Sequence, residues 1–188
     1  MVKPTLILII ILFIIAGGLF ALALNKSIYN PTQINEATIS STNSVMPETS
    51  LLFGNLEIAS SSGIAKTYSL PIIINTRTNK VTSVQLELSF DPNILTDVKI
   101  TPSNFFKNPS VILNKINSDT GRISYALSAT QPEGSKQGES TLALLTFEVR
   151  VPSVPSAITF LSRTFVTAEG LDSSALKSTN SAQLSFNP

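Results

Sequence analysis

Residues 81–92 read Val-Thr-Ser-Val-Gln-Leu-Glu-Leu-Ser-Phe-Asp-Pro. Val84, Leu86, Leu88 and Phe90 alternate with Gln85, Glu87 and Ser89, and Asp91-Pro92 ends the run. Successive side chains of a strand leave opposite faces, so this period of two describes a β-strand with one buried and one wet surface. Such a strand needs a second layer over its apolar side.

The same pattern recurs downstream. Tyr68, Leu70, Ile72 and Ile74 share a parity, with Pro71 among them predicting an edge position or an outward-facing nitrogen. Ile123, Tyr125, Leu127 and Ala129 alternate with Arg122, Ser124, Ala126 and Ser128. Leu142 and Leu144 lie in one phase, whereas Leu145, Phe147 and Val149 lie in the other, which predicts a β-bulge at the slip. Asn117-Ser-Asp-Thr-Gly121 reads as a five-residue hairpin connection with a positive φ at Gly121. Shorter runs at Leu56–Ile58, Leu95–Ile100, Val111–Ile116, Ile158–Phe160, Phe165–Val166 and Leu184–Phe186 add strands, and Glu169–Lys177 reads as loop. The expectation for residues 51–188 is all-β: an antiparallel β-sandwich of the jelly-roll kind, with eight to nine strands.

Upstream, Thr5–Leu24 holds 17 apolar residues in 20 and no charge. A helix of that length spans roughly 30 Å, the thickness of a bilayer core. Residues 1–24 are therefore expected to be a single N-terminal transmembrane anchor, or a signal segment cleaved after Ala23 at Ala21-Leu22-Ala23. Both readings place the remainder on the extracytoplasmic side. Residues 25–50, rich in Ser, Thr and Asn, are expected to be a flexible linker.

Composition removes several chemistries. There is no His, no Cys and no Trp in 188 residues. That takes away the usual general base, thiol nucleophiles, disulfides, the common zinc ligands and the broadest sugar-stacking ring. A net charge of +1 without a basic block argues against nucleic acid. Asp91, Asp97, Asp119, Glu133 and Glu139 fall in or near loops, as a carboxylate pair for glycoside hydrolysis would. Turn carboxylates more often cap backbone amides. No Asp-x-Asp-x-Asp spacing points to calcium. An enzyme is not expected, nor a cofactor or metal.

Three stretches, Val81–Leu95, Asp119–Ala129 and Gly138–Val149, resemble a cohesin domain: its early strand with the Asp-Pro turn, its central hairpin, and the later strand before the closing hairpin. The resemblance implies a nine-stranded jelly roll, related to some carbohydrate-binding modules, that binds a dockerin module through one sheet face. The context departs from a scaffoldin, which strings several such domains; here one domain follows one anchor.

The candidate docking residues are Gln85, Glu87 and Ser89, with Ser124 and Ser128 as the equivalent wet positions on the hairpin strand. Thr146, Glu148 and Arg150 are wet positions on the other clear strand. Phe105-Phe106, in a loop bracketed by Pro102 and Pro109, is either a core plug or an apolar anchor for a partner. The expected function is a cell-surface module binding a dockerin-like protein. A polysaccharide-binding module and a structural envelope or filament subunit are the alternatives.

Overall fold

The computed structural model describes residues 45–62 and 65–186. The expected helix over residues 1–24 and the linker up to residue 44 lie outside them. The described residues contain no helix, and so none long and apolar enough to cross a membrane.

Two sheets face each other. The first has the order β11-β1-β3-β8-β5, where β1 is Thr49–Phe53, β3 Ala65–Asn75, β5 Leu95–Pro102, β8 Glu139–Val149 and β11 Leu176–Asn180. β2, Glu57–Ser62, also pairs with β3. The second has the order β12-β9-β4-β7-β6, where β4 is Val81–Ser89, β6 Ser110–Asn117, β7 Arg122–Ser128, β9 Ser156–Phe160 and β12 Ala182–Leu184. β10, Phe165–Ala168, completes it against β4. Twelve strands appear where eight or nine were expected; β1, beginning at Thr49 inside the expected linker, and β11, beginning at Leu176 inside the expected loop, are not among the expected runs. Every pairing is antiparallel except β1 with β11, which is parallel.

The alternating residues set the core. Val84, Leu86 and Leu88 on β4 and Ile123, Tyr125 and Leu127 on β7 are at most 1% exposed. They meet Leu70, Ile72 and Ile74 of β3 and Leu145 and Phe147 of β8 from the other layer. Burying side chains of this size stabilises by about 1.5–3 kcal/mol each before entropy is charged. Phe53 of β1 stacks on Phe160 of β9 at 4.7 Å, joining the layers at one end, and Tyr68, Phe147 and Phe186 cluster with centroids 5.3–6.4 Å apart.

Two local expectations shift. The bulge lies at Leu142-Ala143, both buried, and Leu144 faces outward; the slip is two residues earlier than the apolar pattern predicts. Pro71 sits mid-way along a central strand, at the point where β1 has ended and β2 has not paired. Its carbonyl accepts from Gly54 N (2.8 Å). A residue's amide and carbonyl share one side of a strand, so the missing N–H faces this interruption and breaks no ladder bond.

Candidate functional site

Outward positions on the second sheet fall into rows read from the strand register. Ser83 stands opposite Ser128, Gln85 opposite Ala126, Glu87 opposite Ser124, and Ser89 opposite Arg122. Because β4 alternates from Ser83 to Ser89 and β7 throughout, the same parity that buries Leu86 and Tyr125 sends Gln85, Glu87, Ser89, Ser124 and Ser128 to one surface. The rows continue onto β6, where Leu113 opposes Ala126 and Lys115 opposes Ser124, and onto β10, where Phe165 opposes Gln85.

Hydrogen bonds tie the centre together. Gln85 Nε2 donates to Glu87 Oε1 (2.9 Å) and Ser124 Oγ donates to Glu87 Oε2 (2.7 Å). Ser89 Oγ and Thr159 Oγ1 lie 2.6 Å apart. Along the edge of β4, Glu87 N donates to Thr164 Oγ1 and Thr164 Oγ1 donates to Glu87 O, both at 3.1 Å. The result is a pre-ordered patch in which both oxygens of the Glu87 carboxylate are held by neutral donors. Beside it a shallow recess of about 440 Å³ is bordered by Ser89, Asp91, Thr159 and Gln183.

Thr146 and Glu148 do not join this surface, since β8 belongs to the opposite sheet. Arg150, just past β8, reaches Thr96 of that sheet at 3.5 Å. Phe105 and Phe106 are corrected: each is 1% exposed, so neither is a surface anchor. Ser103 N and Phe105 N donate to Leu142 O and Thr141 O, both at 3.0 Å, which ties the loop to β8 and turns both rings into the core, 4.7 Å apart. Sequence reasoning missed Ile112, Leu113 and Phe165, exposed by 65, 38 and 42%. Their signal was an apolar residue on the wet parity, Leu113 and Phe165 standing level with Ala126 and Gln85.

Three of the candidate carboxylates serve the backbone or a neighbouring side chain. Asp91 Oδ1 accepts from Asn93 N (2.9 Å) and Glu133 Oε2 from Lys107 N (2.9 Å), while Glu139 accepts from Asn75 Nδ2. In the hairpin, Asn117 rather than Asp119 supplies the cap, its Oδ1 accepting from Asp119 N and Thr120 N at 3.0 Å. No group of three or more His, Cys, Asp or Glu that could hold a metal ion occurs among the described residues.

Comparison with known proteins bears on the fold. No curated protein matches the chain by sequence. Among solved structures, the third ScaC cohesin of Acetivibrio cellulolyticus, solved in complex with a ScaB dockerin, matches at a TM-score of 0.57 and 16% identity, covering 74% of this chain and 99% of that one. CaCohA2 of Clostridium acetobutylicum matches at 0.54 and 18%, covering 73 and 90%. A non-cellulosomal cohesin from the archaeon Archaeoglobus fulgidus matches at 0.51 and 16%, covering 72 and 88%. The model of the cohesin domain matches residues 54–185, more than two thirds of the chain. The chain therefore belongs to the cohesin domain family, a family of non-catalytic protein-binding modules.

Proposed function

We propose that this chain is a membrane-anchored docking module: a cohesin held outside the cytoplasm by residues 1–24, with the outer face of β4 and β7 receiving a dockerin-like protein. The observation that carries the reading is the assembly of Gln85, Glu87, Ser89, Ser124 and Ser128 on one sheet surface of a family member. Flat sheet faces with a few central, pre-ordered groups suit protein docking, where a minority of residues holds most of the energy. A protein partner fits better than a polysaccharide. Tyr68 and Tyr125 are buried, and among the described residues Phe165 is the one aromatic ring more than about a third exposed, against the stacking platforms that sugars use.

Immobilised full-length chain in detergent, incubated with extract of its own cells, should capture a specific protein that Gln85→Ala and Glu87→Ala release. Retention of that protein by both variants, or capture of glycans alone on an array, would remove the reading. Mass spectrometry of the exported chain tests anchoring: an intact N-terminus is expected, and a mature start at Leu24 leaves secretion instead.

A further inference from the structure

A recess of about 620 Å³ opens near the start of the described chain, lined by Glu48, Ser50, Arg77, Thr78, Lys177 and Ser178. It lies at one end of the first sheet. Ser50 of β1 stands opposite Ser178 of β11 on one side and Asn75 of β3 on the other, and Arg77 and Thr78 follow in the turn after β3. Neither of its two cations forms an ion pair among the described residues, where the pairs are Lys80–Glu169 and Lys136–Glu133. Its one carboxylate, Glu48, accepts from Thr78 Oγ1 (2.5 Å), a bond that holds it below the usual carboxylate range, with Lys177 and Arg77 adding to the effect. The lining therefore carries a net charge of +1, three hydroxyls and no aromatic ring.

Arg77 is held in a backbone state that suits Gly or Asn better. Its φ is +53°, where a residue with a Cβ is strained. The turn is clamped around it. Arg77 N donates to Asn75 Oδ1 (3.1 Å) and Gln137 Nε2 donates to Arg77 O (2.9 Å). Buried Thr76 is tied to Gly138 in both directions, N to O at 3.1 Å and Oγ1 from N at 2.9 Å. An arginine fixed at such a position points to use of its guanidinium.

We propose that this recess binds a monoanionic phosphodiester, its oxygens taken by the Arg77 guanidinium, the Lys177 ammonium and the Ser50 and Ser178 hydroxyls. Guanidinium and ammonium groups are the usual donors to phosphate oxygens, and the net charge of the lining matches one negative charge. Without an aromatic ring there is no platform for a sugar or a base. The group could come from a soluble phosphodiester or from a phospholipid headgroup. Residues 25–44 can carry this end of the domain no further than about 70 Å from the apolar stretch Thr5–Leu24. The headgroup source rests on the anchoring reading above, whereas the site itself depends neither on that reading nor on the docking face.

Isotope-labelled full-length chain in a non-ionic maltoside detergent is titrated with dimethyl phosphate, with a short-chain phosphatidylglycerol and with acetate, following the amides of Ser50, Arg77, Thr78 and Ser178 by NMR. Saturable shifts are expected with both phosphodiesters, and binding about tenfold weaker with acetate, which offers fewer acceptor oxygens. Arg77→Gln with Lys177→Gln should weaken both phosphodiesters about tenfold or more. Glu48→Gln should tighten them about threefold by removing the opposing charge. Gln at position 77 carries the same backbone constraint as Arg, and resonances away from the recess should stay native, so loss of binding is separable from loss of fold. Phosphatidylglycerol binding tenfold or more above dimethyl phosphate assigns the headgroup, and a smaller difference assigns the phosphodiester alone. No saturable shift with either phosphodiester, an equal response to acetate, or an affinity unchanged in the double variant would overturn the proposal.

Discussion

At Gly121 the hairpin turns with φ of +62°, and a methyl group there would lie 2.0 Å from the carbonyl oxygen of Phe90. Gly121→Ala should cost about 3 kcal/mol, read as a lower urea midpoint. Gly134 has almost the same φ, +65°, but its nearest neighbour is Gln131 Nε2 at 3.7 Å. Gly134→Ala should therefore cost only the backbone strain, about 1 kcal/mol. Tyr125 shows the opposite case, a side chain with more polarity than its place uses. Its ring is fully buried, its hydroxyl has no hydrogen-bond partner among the described residues, and burial pushes its pKa up to about 12. A raised folded pKa means the folded state holds its proton longer than the unfolded state does. The associated stability is present below pH ~10 and is lost as pH rises through the folded value near 12. Tyr125→Phe should match or exceed the native stability at pH 7 and lose that part of the alkaline decline, both measurable by denaturant titration.

Strands that alternate over a full length were legible, and those held by context were not. β4 and β7 each bury one parity along nearly their whole run, because each lies inside its sheet with core beneath it. β11, Leu-Lys-Ser-Thr-Asn, carries no such period, and its first two residues fall in the stretch that reads as loop. It is an edge strand, exposed along four of its five residues, and what holds it is parallel pairing to β1. The residues Phe105 and Phe106 were undecided because a loop has no period to assign them a side; their burial comes from backbone bonds to β8 that only the fold supplies. Of the proposed docking face, the polar centre was readable from parity alone. Its apolar ends were not, since Leu113 and Phe165 look like core residues until their row partners are known. β1 depends on a residue outside any strand. Asn79, fully buried, accepts from Glu48 N (2.8 Å) and Thr49 Oγ1 (3.1 Å), and its Nδ2 donates to Met46 O (2.8 Å). Asn79→Ala should cost about 2–3 kcal/mol. Hydrogen exchange should show faster amides along Ser50–Phe53 while β4 and β7 keep their protection.

For the molecule as a whole, the two layers hold the core between them and leave two outer faces of different character. One carries Gln85, Glu87, Ser124 and Phe165, and the other carries Thr146 and Glu148. A domain of this kind uses its scaffold to hold one face flat, so function and stability separate. Glu87→Ala should leave the unfolding midpoint within about 0.5 kcal/mol of native while weakening partner capture. Phe147→Ala, at the centre of the core, should cost about 3–5 kcal/mol and abolish capture only by unfolding. The distinction between the faces is the claim on which the function stands, and site-specific photocrosslinking in the producing cells addresses it. With a photoreactive residue at Ser124 in one variant and at Thr146 in the other, a discrete protein adduct should form from Ser124 and not from Thr146. Adducts from Thr146 alone, or equally from both positions, would contradict docking on the β4–β7 face.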